Sequence, residues 1–252
     1  MAISIRFYAE LNDFLPASRR GMTFLKVLPN HAAVKDAIEG LGVPHTEVDL
    51  VLVNGTSVAF SHRLTDGDRV SVYPVFEALD IAGVTRVRAE PLRDPRFILD
   101  VHLGRLARYL RVAGFDAEYR NDFEDADLIA RAADERRILL TRDHGVLKHG
   151  KVTHGYAVRS TNPRDQLREV LHRFDLGRRL APFTRCLRCN TLLAEIHADA
   201  VSHRVPPRVR EQHTSYRTCD RCSRVYWAGT HHDRLTTVLR GALDDRRSHS
   251  EA

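Results

Sequence analysis

Two groups of residues in this 252-residue chain have the types and spacing to do chemistry. The first is sulfur. Cys186-Leu-Arg-Cys189 and Cys219-Asp-Arg-Cys222 contain all four of its cysteines. Two Cys-x-x-Cys hooks supply the donor set of a tetrahedral zinc site. Four cysteines close the coordination shell, so a zinc held there is structural and leaves no position for a substrate. A redox dithiol would open a helix in a βαβ unit, which neither hook does. The gap between hooks is longer than in a compact ribbon, so an inserted strand or loop is expected.

The second group is acidic. Asp100 follows the apolar run Phe97-Ile98-Leu99, Asp143 follows Ile138-Leu139-Leu140-Thr141-Arg142, and Asp125 opens the helical stretch ADLIARAADERR. Open α/β sheets place their sites at the carboxyl ends of strands. Carboxylates crowded there repel one another unless a cation neutralises them. Hard oxygen donors suit magnesium or manganese, ions that activate water and stabilise a phosphoryl transition state. Each acid also has a plainer reading: a helix cap for Asp100 and for Asp125 or Asp122, a turn for Asp143.

Arginines flank these acids. Arg105, Arg108 and Arg111 recur every three residues on the polar face of the helix after Asp100, and Arg142 adjoins Asp143. A guanidinium grips phosphate through a planar fork, so the four could form a phosphate-tracking surface, or simply a solvated face. Lys+Arg 39 against Asp+Glu 33 gives a net charge of +6, and the pI near 9.4 agrees with a nucleic-acid partner. His102 and His144 beside the acids read as surface or packing residues before acid/base groups. Tyr226, Trp227 and His231 near the second hook read as ribbon core before base-stacking groups.

The elements that must position these residues follow from periodicity. Ile3, Ile5 and Phe7 alternate as a strand, and Met22 to Leu28 is a second. His31 to Leu41 carries Val34, Ala37, Ile38 and Leu41 at helical spacing. Leu50 to Val53 meets the turn Asn54-Gly55, and Asp66-Gly67 leads into a strand over Arg69 to Val75. This order is that of a β-grasp. From Arg96 the pattern becomes βαβ: strands at Phe97–Leu99, Asp116–Tyr119, Ile138–Thr141 and Tyr156–Val158, and helices around Leu103–Leu110, Ala126–Arg136 and Pro163–Phe174. That alternation implies a parallel sheet covered by helices. No run of eighteen apolar residues exists, so no membrane helix is expected. The N-terminus has neither a basic leader nor an apolar h-region, and the expected compartment is the cytoplasm.

The first eighty residues, through LVLVNG and LTDGDRVSVYPVF, resemble the ubiquitin-like sulfur carriers of the ThiS/MoaD type. Those carriers react through a free Gly-Gly carboxylate. Here Phe76-Glu77-Ala78-Leu79 follows and the chain continues, so a recruiting module, with a possible protein partner, is expected instead. FILDVHLGRLARYLRVAGFDAEY and DADLIARAADERRILLTRDHGVL, then RCLRCN and CDRCSRVYWAGTHHDRL, resemble the PIN-like RNase domain and zinc ribbon of the Mut-seven exonuclease C-terminal family. The resemblance implies an RNA-cleaving hydrolase with magnesium or manganese at Asp100, Asp125 and Asp143, leaving 5′-phosphate and 3′-hydroxyl ends. It favours Asp125 over Asp127 as the middle ligand. Full PIN domains carry a further acidic position before this helix. The expected architecture is α/β: a β-grasp over 1–80, a linker over 81–95, a PIN-like parallel-sheet domain over 96–178, a zinc ribbon over 182–235 and a tail over 236–252. The competing reading is a non-catalytic RNA- or ribosome-associated adaptor that binds through the ribbon and the β-grasp.

Overall fold

A computed structural model describes residues 1–74, 83–87, 94–201 and 203–243, apart from the side chain of His231. Most of the expected linker, Phe76–Leu79 and the last part of the tail lie outside the described residues. The chain forms two compact units, Met1–Asp94 with Glu124–Ala157, and Pro95–Phe123 with Val158–Ala252.

In the first unit, a five-stranded sheet runs in the order Phe24–Val27, Ala2–Phe7, Arg69–Pro74, Val48–Val53, Thr56–Ser57. The first and last chain strands of the fold, Ala2–Phe7 and Arg69–Pro74, lie parallel at its centre, and the other neighbours are antiparallel. This is the expected β-grasp. Period-two alternation sends Ile3, Ile5, Phe7, Val70 and Val72 to one buried face, where Val34, Ala37 and Ile38 of the helix Val34–Glu39 meet them. Asn54 and Gly55 both take positive φ, 51° and 86°, as a two-residue hairpin turn requires.

The same unit holds the helix Asp125–Asp134, the strand Ile138–Thr141, the short helix His144–Leu147 and the strand Gly155–Ala157, whose two strands pair in parallel. Segment 124–157 packs against the β-grasp within this unit. Polar side chains explain this. His45 Nε2 bonds the Val152 carbonyl at 2.8 Å, and the Ala157 N–H donates to Glu47 Oε1 at 2.6 Å. Phe14 meets the His144 ring edge-on at 4.9 Å. Such long-range contacts leave no local trace in a sequence.

In the second unit, the strand Phe97–Leu99 pairs in parallel with Ala117–Tyr119. Between them run a 3-10 turn, Val101–Leu103, and the helix Gly104–Val112, which buries Leu106, Ala107 and Leu110. The helix Pro163–Arg173 starts on an Asn162 cap that accepts from Arg164 N at 2.9 Å. A three-stranded antiparallel sheet, Ala194–Ile196, Tyr216–Thr218 and Val225–Tyr226, carries the cysteine hooks. The stretch between hooks contains the first two of these strands and two short helices, Ala198–Val201 and Pro207–Gln212. The last described helix is Thr230–Leu243. It runs through 236–243, where the sequence reading begins a tail, because Leu235, Leu239 and Ala242 are buried at helical spacing and the helix packs on Pro163–Arg173. None of the described helices is long and apolar enough to cross a membrane.

Gly114 joins the two parts of this unit. Its φ is +98°, and a Cβ there would lie 2.2 Å from the Ala181 carbonyl oxygen. The backbones meet here: Ala181 N donates to Ala113 O at 3.0 Å and Phe183 N to Val112 O at 2.9 Å. Gly114→Ala meets both a left-handed backbone and a backbone clash that no rotamer relieves. It should destabilise the chain by more than about 2 kcal/mol, read as a lowered urea midpoint. An unchanged midpoint would contradict this close approach.

Candidate metal sites and their surroundings

The four cysteines come together. Their sulfurs all lie within 4.8 Å of one another, and Cys186 Sγ is 3.6 Å from Cys222 Sγ. A tetrahedron with zinc–sulfur bonds of ~2.3 Å has edges of about 3.8 Å, so the cluster can hold a zinc ion. Each hook is a tight knuckle. In the first, Asn190 N donates to Cys186 O at 2.9 Å, and Asn190 takes φ +67°. In the second, Ser223 N donates to Cys219 O at 2.7 Å, and Ser223 takes φ +58°.

The sulfurs do not ionise alike. Burial pushes the Cys189 thiol up to about 12, reinforced by the neighbouring sulfurs of Cys222 and Cys186. Burial also pushes at Cys219, but bonds from Thr191 Oγ1 and the Cys222 backbone N–H outweigh it and hold that thiol down at about 6. One thiolate opposes the next, as in a site whose full ionisation requires a divalent cation.

Groups outside the cluster orient it. Tyr226 Oη lies 3.2 Å from Cys186 Sγ and accepts from Leu187 N at 3.2 Å. Trp227 packs with Val201, Val205 and Tyr216 in a small core. Tyr226 and Trp227 therefore build the ribbon, as their first reading has it. Asn190 docks the first knuckle on the neighbouring strand: its Oδ1 accepts from Ala117 N at 3.0 Å, and its Nδ2 donates to Asp116 Oδ1 at 2.7 Å. Nothing in the hook spacing announces that role. The only sequence cue is an amide directly after the second cysteine.

Arg111 requires a correction. It is 5% exposed, so it is no part of a phosphate-tracking face. Its Nε donates to Ala117 O at 2.8 Å, and its Nη1 donates to Leu187 O and Arg188 O, each at 3.1 Å. Burial lowers the pKa of its guanidinium, while Cys186, Asp116 and Cys189 pull it back up. Arg105, Arg108 and Arg142 are exposed.

Of the three aspartates, Asp100 lies in the second unit, and Asp125 and Asp143 lie in the first. Asp100 is buried at the carboxyl end of Phe97–Leu99. It stands at the cap position of the turn Val101–Leu103, but its side chain makes no capping bond. Asp125 is the first residue of its helix, whose cap is Glu124, again without a side-chain bond. Asp125 and Asp127 are both exposed in that first turn, where the helix dipole favours acids. They stand about 200° apart around the axis, so they point to different sides. Asp122 pairs instead with Arg120, through bonds of 3.0 and 2.9 Å. Asp143 does cap: its Oδ1 accepts from Gly145 N at 2.7 Å, and its own N–H donates to Thr141 Oγ1 at 2.9 Å. A carboxylate capping through one oxygen retains another for a cation. His102 and His144 are exposed.

The family profile described as Mut7-C RNAse domain matches residues 95–239, and the one described as Mut7-C ubiquitin matches residues 1–80. Among solved structures, the chain is similar to SAMP1 from Haloferax volcanii, at 20% identity over 31% of this chain and 100% of that one, with a TM-score of 0.26. It is also similar to a Pyrococcus furiosus protein described as molybdopterin converting factor, subunit 1, at 24% identity over 30% of this chain and 98% of that one, with a TM-score of 0.24. No curated protein matches the chain.

Two substitutions separate ligand from support. Cys219→Ser should abolish zinc binding, because a closed four-sulfur shell loses a donor. Tyr226→Phe should still bind one zinc but release it more readily, with affinity lowered ~10–100-fold. Chelator competition with a chromogenic indicator reads both. Equal zinc affinity in wild type and Tyr226→Phe would remove the tyrosine from the account.

Proposed function

We propose that this chain, which belongs to the Mut7-C RNase domain family, is a metal-dependent ribonuclease that hydrolyses RNA phosphodiester bonds. The observation that carries this reading is the Mut7-C RNAse domain match over residues 95–239, more than half of the chain. Within that span, Asp100, Asp125 and Asp143 supply hard oxygen donors, and we assign them to a magnesium or manganese site. Such an ion, when bound, lowers the pKa of water and stabilises charge on a phosphoryl group. The three carboxylates hold and orient it. Arg105, Arg108 and Arg142 are assigned to the phosphates of the substrate. We assign the four-cysteine site a structural zinc, since a closed sulfur shell offers no open position. The β-grasp is assigned the recruitment of a protein partner rather than carrier chemistry, because its last strand leads on into the chain instead of ending in a reactive carboxylate.

The test is cleavage of end-labelled single-stranded RNA with magnesium, with manganese, or with neither. Wild type should cleave only with an added divalent ion, leaving 5′-phosphate ends. Asp100→Asn should lower the rate at least ~100-fold with the zinc content unchanged, since even an indirect support of a metal ligand is worth 10–100-fold. Full activity in Asp100→Asn would sink the metal-site assignment. RNA retained without turnover in wild type would leave the adaptor reading in its place.

A further inference from the structure

We propose that a cleft in the zinc module is a binding groove for single-stranded RNA, with bases stacked on its aromatic wall and phosphates held by arginines at its rim. The choice of RNA as occupant rests on the ribonuclease reading; the groove itself rests on the following geometry.

The cleft has a volume of about 820 Å³, within the size range of organic ligand sites and far beyond that of a metal ion. Its walls are mostly apolar and aromatic. Five arginines line it, Arg108, Arg185, Arg188, Arg217 and Arg224, and among the described residues its lining contains no carboxylate. Some of these are engaged in building the wall. Arg185 donates to Gly114 O at 3.1 Å and to Asn190 O at 2.8 Å. Arg217 donates to Phe183 O at 3.0 Å and lies 3.5 Å from Glu195. Arg188 and Arg224 are different. Both side chains are exposed, while their backbones are fixed by the knuckles. Arg188 O accepts from the buried Arg111, and Arg224 O accepts from Cys219 N at 3.0 Å. Two cations thus project from rigid anchor points, which lowers the entropic cost of gripping phosphate.

The wall between them offers planar faces. Trp227 lines the cleft, as do Phe183 and His232, which stack on each other at 3.9 Å with an interplanar angle of 27°. Gly229 lies so close to the indole that a Cβ there would come within 2.9 Å of Nε1, so the backbone buttresses the Trp227 ring. A single strand presents a flat base and an anionic phosphate at every residue, and base–aromatic stacking with arginine contacts is how such strands are held without sequence preference. Arg108 carries the lining onto the helix Gly104–Val112. That helix begins four residues after Asp100, so the cleft and the first proposed metal ligand share one compact unit.

Trp227 is the chain's one tryptophan, so its fluorescence reads the cleft directly. The experiment uses full-length Asp100→Asn protein, zinc-loaded, without magnesium or manganese, titrated with a short oligouridylate. Saturable quenching is expected. Adding Arg188→Ala and Arg224→Ala, with zinc content checked, should weaken binding at least ~tenfold and lower the salt slope by about 1.4, from ~0.7 per phosphate contact on a single strand. RNA bound without any change in Trp227 emission, or equally well by the arginine variant, would overturn the groove and leave the ribonuclease reading to its cleavage assay. An equal quench by inorganic polyphosphate would overturn the stacking. A quench by an acidic peptide but not by RNA would give the cleft a different occupant and overturn the proposal. Quenching by RNA, from a protein whose wild type cleaves nothing in manganese, would support the groove and remove the ribonuclease reading.

Discussion

One buried guanidinium ties the helix Gly104–Val112 and the strand Ala117–Tyr119 to the first cysteine knuckle. Arg111 leaves a helix whose start follows Asp100 and reaches the carbonyls of Leu187 and Arg188 in the first zinc knuckle, while its Nε bonds Ala117 in the adjoining strand. Burying a cation costs several kcal/mol unless it is paired and fully bonded. Here three carbonyls bond it, and sulfur and carboxylate charge nearby offsets the rest. Zinc with four thiolates carries a net charge of −2, so a cation beside it lowers the cost of collecting those thiolates. A zinc held there and the arginine would therefore stabilise each other. Removing either would leave the other as an uncompensated buried charge.

This constraint explains why the four-cysteine module is more than an appendage. Asn190 binds the same strand that Arg111 binds, and Gly114 lets the segment entering the module lie directly on the helix end. Three independent ties converge within a few residues of the first hook. The module can therefore present side chains outward from a fixed backbone. A knuckle held only by its metal would fix the sulfurs, but not the direction of Arg188 or of the wall around Trp227.

Much of this was legible in the sequence, for physical reasons. Period-two alternation at Ile3, Ile5 and Phe7 and the 3.6-residue period at Leu103, Leu106 and Leu110 record which face is buried. Asn54-Gly55 and the two Cys-x-x-Cys hooks record backbone geometries that few other residues accept. Arg111 was misread because spacing alone places it with Arg105 and Arg108 on the polar face; only the knuckle beyond the helix shows that it turns inward. The association of 124–157 with the β-grasp depends on His45 and Glu47 finding carbonyl and amide groups about a hundred residues away. The helix Thr230–Leu243 was not expected, although Leu235, Leu239 and Ala242 recur at helical spacing; its burial comes from the helix Pro163–Arg173. For the aspartates, strand ends and helix starts were read correctly from the sequence, but a cap and a metal ligand use the same residue type at the same positions. Asp143 shows that one carboxylate can serve as a cap there.

The most direct test of this coupling is amide hydrogen exchange on the full-length chain with zinc bound and after its removal by a chelator. Mutual stabilisation of Arg111 and the zinc site predicts that zinc removal increases exchange in the helix Gly104–Val112 and the strand Ala117–Tyr119, together with residues 184–226. Faster exchange confined to 184–226, with the helix and strand as protected as before, would contradict it.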